Sequence, residues 1–543
     1  MRGLINDCLR RLIALGIRWL GLLLTIVQRV RASMFFWSQK RLARRYGITS
    51  ATPIMTFGPE LELLIERAAA RAGKRAKFAW TSGSTAKPKR ILYTRRRLRA
   101  VKLAYVDFFA RCCWSLGIKR TSLYVFSSLN NDDSLTSMLL EETGLPPYIS
   151  SLQAPYRVHC HPAIQSLVSD YGATAARLWI LAIANPGILY STNPSTLSTF
   201  FDELTSDWQR GTRLIKDWHR KPEAFVPAVC LIAKRLESRG SNARLERIAM
   251  SDTSLPLQVC APAVKTCVCW VGGYVKPFLD RLATYLPPDR YRLVPMYSMS
   301  TETLETVGHF AGDRVAFLPL ASRVLYEFVE EDAEDKPQNL LKANQLQAGK
   351  PYSMVVSDPY GLRRYQTGDL FHCRGFVAGL PDLSFSRRRD LEYSFTGEKL
   401  TSEQVMTVFQ KLREEYPQLG ADKFLTCVPS HPVDDSVPHY KIILVNGHGE
   451  SVGVPVDELA TRCDELLSEV NREYKSKCQS ARLGPVRFML LTHKDFIDRI
   501  GSSQSNAWKA QFKFLPLYRS TWESLKSHSE AAEPRAHISR TQH

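Results

Sequence analysis

The chain has 543 residues, 44% of them apolar and 23% charged, which excludes a wholly disordered protein and is too long for one small domain. A formal charge of +20 suits an anionic partner, but the basic residues are spread along the chain without zinc-finger spacing or an RNA-binding sheet motif, which argues against nucleic acid. Twelve cysteines, none paired as C-x-x-C, argue against a disulfide scaffold and a structural zinc site; "CVC" at Cys267 to Cys269 and "HCH" at His159 to His161 lack further ligands, so the cysteines read as buried thiols in a reducing compartment.

In chain order, residues 1–33 stand apart as a leader. The run "LIALGIRWLGLLLTIV", Leu12 to Val27, is apolar, broken by Arg18 and flanked by Arg10, Arg11, Arg29 and Arg31. It is shorter than the roughly 20 apolar residues of a membrane span and lacks a signal-peptide cleavage pattern. The first 50 positions hold ten Lys or Arg against one acidic residue, Asp7. Such a helix has two readings: one lies in the interface of an anionic membrane through residues 1–31, the other docks on the body of the protein. "MFFWSQKRLARRYGI" and "ELELLIERAAARAG" read as helices, the second closed at Gly73. Phe78 to Trp80 reads as a strand. After the loop "TSGSTAKPK", Leu98, Val101, Tyr105, Phe108, Cys112 and Leu116 mark an amphipathic helix ending at Gly117, so the loop is expected between a strand and a helix.

Apolar runs such as "SLYVFSS", "GILYST", "CVCWVGG", "RLVPMYS" and "YSMVVSD" then alternate with helical stretches, the pattern of an α/β domain with largely buried sheets. From about residue 387 the order changes to a helix at 402–415, strands at "FLTCV" and "YKIILV", a helix from Val456 to Lys475 and a strand at "VRFMLL". That is an α+β unit of roughly 140 residues, enough to fold alone. "RRRD" before it reads as the hinge, and the polar residues 527–543 as a disordered tail.

The loop gathers hydroxyls, a glycine and lysines, which suits a polyphosphate, yet it is no P-loop: a second glycine and the Lys-Ser/Thr pair are missing and Pro88 has no amide hydrogen. Ser82, Gly83, Ser84, Thr85, Ala86, Lys87, Pro88 and Lys89 instead resemble the phosphate loop of the adenylate-forming superfamily, with Ala86 where glycine is usual. Gly83 would let the backbone approach, the hydroxyls would donate to the β- and γ-phosphates, and Lys89 would add charge. "YSMSTE", Tyr297 to Glu302, resembles that superfamily's adenine loop, whose closing Thr301–Glu302 pair meets phosphate and magnesium; the carboxylate of Glu302 is a hard ligand suited to that ion. The usual tyrosine is one position out of register, Ser298 standing four before Glu302. "YQTGDLF" resembles the aspartate motif in which Asp369 would accept from both ribose hydroxyls. "RRRDLEYSFTGEKLTSEQV" resembles the hinge motif, with Arg388 as the ribose-reaching arginine, Asp390 as the hinge residue and Gly397 seven positions on. Lys513 in "QFKFLPLY" stands where the superfamily's late lysine reaches the α-phosphate, with Lys509 as its rival.

These motifs, with "PYSMVVSDPYGLRRYQTGDLFHCRGF", "LYSTNPSTL", "CVCWVGGYVKPFLDRL" and "NREYKSKC", resemble the auxin-responsive acyl acid-amido synthetases and their microbial relatives over about residues 35 to 520. The resemblance implies an α/β fold: a large N-terminal domain of the adenylate-forming type at 34–387 that binds ATP and the acyl group, and a smaller mobile C-terminal α+β domain at 388–526. It implies a ligase using ATP and Mg2+ to adenylate a carboxylic acid and transfer the acyl group to an amine, with Lys89, Glu302 and Lys513 catalytic and Glu302 on the metal. Two alternatives accompany it: delivery to a thiol of CoA or a carrier protein, and a membrane-associated scaffold without turnover. The expected setting is a cytoplasmic monomer, peripheral on the inner face of a membrane if the leader binds lipid. His309 and His372 lie near motifs in sequence but read as structural histidines, and the base for the amine is unassigned.

Overall fold

The computed structural model describes residues 2–80, 89–126, 135, 138–139, 147–153, 155, 161–272, 275–296, 300–312, 314–389, 392–396, 398–420, 423–431, 437–446, 452–501 and 514–525. These divide into two compact units, one up to Arg389 and one beyond it. The tail read as disordered lies outside the described residues.

The first unit opens with α1 (Arg2–Ile26) and α2 (Gln28–Arg45). The break between them falls at Val27, not near residue 33, because Thr25, Ile26 and Val27 are consecutive β-branched residues and the Thr25 hydroxyl donates to the Gly21 carbonyl at 2.8 Å. α1 packs along α4 (Arg95–Ser115), which follows α3 (Pro59–Ala72) in the chain. At the contact, a Cβ on Gly21 would lie 2.0 Å from the Ala110 carbonyl oxygen, so only glycine lets the two backbones approach this closely. Polar side chains hold the leader down: Asn6 donates to the Glu237 carbonyl at 2.8 Å, Arg10 to that of Leu236 at 2.6 Å, and Asp7 pairs with Arg120 at 3.2 Å. The leader is thus docked on the body through its polar side. No single helix among the described residues is long and apolar enough to cross a membrane.

β1 (Lys77–Trp80) pairs antiparallel with β2 (Arg90–Tyr93). The hydroxyl-rich loop therefore connects two strands, a correction to the expected strand-loop-helix order. Ile91, Leu92 and Tyr93 are buried strand residues, and α4 starts only after Thr94, whose side chain accepts from the Arg97 amide at 3.2 Å. β3 (Leu123–Phe126), β4 (Ile188–Ser191), β5 (Thr266–Cys269) and β6 (Arg292–Pro295) form a parallel sheet in chain order. Nearly every residue of β3 to β5 is buried, as a parallel sheet covered by helices requires, and the described helix Ala173–Ala184 is buried almost throughout. Phe126, Ser191, Cys269 and Pro295 are register partners, so the C-terminal ends of the four strands align.

A hairpin of β7 (Val307–Ala311) and β8 (Arg314–Leu318) follows, then an antiparallel sheet ordered β12 (Leu380–Arg388), β11 (Tyr365–Val377), β10 (Pro351–Ser357), β9 (Leu325–Glu330). One core gathers on the parallel sheet around Trp179 and Phe200. A second joins α3, β2 and the antiparallel sheet through Leu61, Tyr93, Tyr352 and Phe371.

The second unit holds a short ladder of β13 (Glu392–Tyr393) with β14 (Leu400–Thr401), then β15 (Phe424–Ser430), β16 (His439–Asn446) and β17 (Arg487–Thr492). β15 pairs antiparallel and β17 parallel to the central β16. The helix expected from Val456 to Lys475 is two helices, Val456–Val470 and Arg472–Gln479, because the Asn471 side chain accepts from the Tyr474 amide at 2.9 Å and caps a new start. Ser402–Glu415 forms as expected, with a reciprocal capping box between Thr401 and Gln404.

Glu398 ties this unit together. Its carboxylate accepts from the Phe395 amide at 2.7 Å, the Thr396 amide at 2.9 Å and the Tyr440 hydroxyl at 2.5 Å. Burial pushes this carboxyl up, but those donors outweigh it and hold its pKa below the ordinary 4.5. Replacing it with glutamine removes charge-assisted bonds and is expected to lower the unit's stability by about 1.5–3 kcal/mol. Because the folded pKa is depressed, this stabilisation is complete above the ordinary value and is lost as the pH falls through the folded one. Hydrogen exchange of β16 amides in the full chain at pH 7 and pH 4 checks both: the gap between wild type and Glu398→Gln should narrow at the lower pH.

Candidate functional site

Sites in open α/β sheets form beyond the C-terminal ends of the strands. Chain leaving β6 at that edge carries Thr301 and Glu302, and it is pinned from β2 and α4. The Tyr93 hydroxyl donates to the Thr301 carbonyl at 2.9 Å, and Arg97 donates to the Glu302 carbonyl. Arg97 is itself buried, paired with Asp358 at 3.0 Å and stacked on the Tyr93 ring at 4.6 Å. Burial raises the Asp358 carboxyl while Arg97 opposes the rise. Two backbone carbonyls more than 200 positions from Arg97 and Tyr93 are fixed in this way, which sets where Glu302 points.

The Glu302 side chain is buried and meets Lys89, just before β2, at 3.1 Å. The Lys89 ammonium also donates to the Tyr365 hydroxyl at 3.0 Å, and that hydroxyl reaches Glu302 at 3.4 Å. The ammonium lies 5.4 Å from the Phe57 ring and 5.6 Å from the Tyr365 ring, a cation held over two aromatic faces. Tyr365 begins β11, where Met55 bridges to it. Four positions on, at most about 14 Å along an extended strand, stands buried Asp369. Asp369 is the register partner of Arg388 on β12. Gly368, at φ 78°, lies where β11 shifts register against β10, and its carbonyl accepts from the Arg389 amide at 2.7 Å. The backbone of Arg388 thus closes the last strand of the first unit instead of opening the second.

Of the residues singled out in the sequence, Lys89, Thr301 and Glu302 are brought together, and Asp369 and Arg388 are backbone register partners across one strand pair. Ser82, Gly83, Ser84, Thr85 and Lys513 lie outside the described residues, as do Tyr297, Asp390 and Lys509. Tyr93, Arg97, Asp358 and the hydroxyl of Tyr365 were not singled out. Tyr365 stood in a quoted motif as its first letter, whereas Arg97 sat in a basic run that reads as surface charge. His309, on β7, is buried; burial first, then Arg111, pulls its pKa down to about 4, so its ring is neutral near pH 7. His372 lies 3.1 Å from the Gly349 carbonyl.

Magnesium fits this donor set. Glu302 supplies one carboxylate, and no cluster of three or more His, Cys, Asp or Glu able to hold a metal occurs among the described residues. An ion here would take its other ligands from phosphate and water, as magnesium does.

Comparison with known families decides the lineage. Residues 72–291 match the GH3 family N-terminal domain and residues 317–388 the GH3 family central domain, together more than half of the chain. The chain belongs to the GH3 family. Among GH3 relatives, it is 26% identical to the putative indole-3-acetic acid-amido synthetase GH3.9 of Arabidopsis thaliana over 30% of this chain and 28% of that one. It is 28% identical to the Arabidopsis thaliana indole-3-acetic acid-amido synthetase GH3.10 over 42% and 34%, and 27% identical to the jasmonoyl--L-amino acid synthetase JAR4 of Nicotiana attenuata over 37% and 29%. Each match spans about a third of the relative's length. The AtGH3.15 acyl acid amido synthetase, solved in complex with 2,4-DB, superposes with a TM-score of 0.70 at 15% identity, covering 95% of this chain and 96% of that one. The α/β architecture expected from the sequence, with a large N-terminal part and a smaller C-terminal one, is therefore that of a GH3 protein.

Proposed function

We propose that this protein is an ATP-dependent ligase that adenylates a carboxylic acid and passes the acyl group to an amine, such as that of an amino acid. One observation carries the reading. Lys89, Glu302 and Tyr365, separated by 213 and 276 positions from the lysine, meet within hydrogen-bond distance, and each comes from a different nucleotide-binding pattern. The amido synthetase names of the GH3 relatives point the same way.

A free carboxylate resists acyl transfer because an oxide would have to leave. In the proposed first step its oxygen attacks the α-phosphorus of ATP and pyrophosphate departs. In the second, a neutral amine attacks the acyl carbon and AMP leaves. Lys89 and the donors of Ser82, Gly83, Ser84 and Thr85 would hold the phosphate charge, Asp369 and Arg388 the ribose, and Lys513 the α-phosphate until the second unit pivots about Asp390. Magnesium at Glu302 would supply further neutralisation when bound. We read the protein as a cytoplasmic monomer.

Acid-dependent exchange of labelled pyrophosphate into ATP across a panel of carboxylic acids tests the first step; amide formation with an amine panel, against thioester formation with CoA, tests the second. Absence of exchange with every acid overturns the reading, and thioester without amide would transfer it to a thiol ligase. A single variant probes the ribose assignment. Asp369→Ala should weaken ATP binding by about tenfold or more, since a buried acceptor of two hydroxyls is lost. Calorimetric titration reads this directly, and an unchanged Kd would remove Asp369 from the site.

A further inference from the structure

A helix that docks on a protein ordinarily buries its apolar stripe and turns its polar one to water. The leader does the reverse. Its inward positions are Gly3, Asn6, Arg10, Ala14, Gly21 and Gln28, spaced by three, four and seven, and these carry the contacts to α4 and to residues 236–237. The opposite side presents Leu4, Leu12, Leu15, Trp19, Leu23 and Ile26 at the same helical spacing, with Leu12 63%, Trp19 61% and Leu23 57% exposed. Val30, Met34 and Trp37 extend the exposed apolar surface onto α2. Eleven of the twenty-two exposed large apolar side chains among the described residues fall between Leu4 and Trp37, so this is a patch and not the scatter of a normal surface.

Charge says what covers it. Asp7, the one acidic residue of the first 50, is turned to the body, where it meets Arg10, Arg120 and the Arg239 amide. Arg2, Arg11, Lys40, Arg41, Arg44 and Arg45 are exposed, and the Arg41 guanidinium sits 5.4 Å over the Trp37 ring at the patch. An apolar face with tryptophans, bordered by cations and bearing no exposed acid, matches the headgroup zone of an anionic leaflet. α1 is about 37 Å long, suited to lying in that plane, and its Asn6, Asp7 and Arg10 side chains already bond to protein.

We propose that the outward face of α1 and α2 docks the protein flat on an anionic lipid surface, with the leader as an in-plane anchor clamped to the body. This does not depend on the proposed reaction. The full chain should sediment with vesicles of phosphatidylcholine containing about 30% phosphatidylserine and far less with phosphatidylcholine alone, the difference shrinking in high salt. Leu12→Glu/Trp19→Glu/Leu23→Glu should lower the partition coefficient by about tenfold or more, because the inserted apolar area is lost. These side chains are more than half exposed, so the thermal midpoint and pyrophosphate exchange should stay as in wild type. Should the triple variant not fold, Lys40→Glu/Arg41→Glu/Arg44→Glu, which leaves α1 intact, must reduce binding to the anionic vesicles. Wild-type protein left in the supernatant, or both variants binding like wild type, overturns the proposal. So does a dimer in light scattering that the triple variant abolishes, since the face would then belong to a second copy.

Discussion

Glu302→Gln is expected to lower acid-dependent pyrophosphate exchange by about 100- to 1000-fold while leaving the far-ultraviolet spectrum unchanged. Glutamine keeps the shape and can still accept from the Tyr365 hydroxyl, so the backbone held by Arg97 and Tyr93 has no reason to move. What disappears is the negative charge 3.1 Å from the Lys89 ammonium. Without it, no carboxylate remains in this group to draw a cation towards the phosphates, and Lys89 keeps the Tyr365 hydroxyl but loses its charged partner. Tyr365→Phe removes one hydrogen bond of that group and keeps both charges, so its loss should be about tenfold or less. The ratio between the two variants separates a charge effect from a positioning effect. Exchange within about threefold of wild type for Glu302→Gln would make the Lys89–Glu302 pair a structural ion pair and nothing more.

How far this site was legible depends on how local its signals are. Glu302 and Lys89 stand in short patterns that can be read wherever the chain carries them. Their meeting cannot, because it depends on β2, which in "RILYT" is only four strand residues behind a Lys-Pro-Lys-Arg run, and on Arg97, which in "RRRLR" looks like solvated charge. Only folding reveals that this one arginine is buried, with its guanidinium reaching Glu302 and Asp358 from far upstream. Helix 402–415 could be read to the residue since its capping box and periodicity agree. The break at Asn471 was hidden inside a continuous amphipathic pattern, where a capping asparagine looks like any polar position. The antiparallel sheet β9–β12 escaped for a similar reason. β11 does alternate in burial, but its residue types do not show it: the polar Thr367 and Asp369 fall on the buried side, and the apolar Phe376 is exposed.

The leader was ambiguous because its sequence carries two amphipathic messages at once, and its internal anchor provides the second large effect. Arg111 on α4 is buried; its Nε donates to Asp107 at 2.5 Å, and its Nη2 donates to the Leu24 carbonyl at 2.7 Å and the Gln28 side-chain oxygen at 3.0 Å. Burial pulls the guanidinium pKa down, and the Asp107 carboxylate opposes that. Arg31 of α2 pairs with the other Asp107 oxygen. Arg111→Met would leave a buried carboxylate with one cation fewer and two acceptors of the leader without a donor. Breaking a buried pair from one side costs about 3–5 kcal/mol, so urea denaturation should show the first unit destabilised by that amount and the leader newly open to limited proteolysis. Asp107→Leu/Arg111→Met removes the charge together with its partner and should recover most of the loss, because no unpaired carboxylate remains. If the double variant is as unstable as the single one, the loss comes from the unsatisfied Leu24 and Gln28 oxygens, and the ion pair is incidental to the docking of α1.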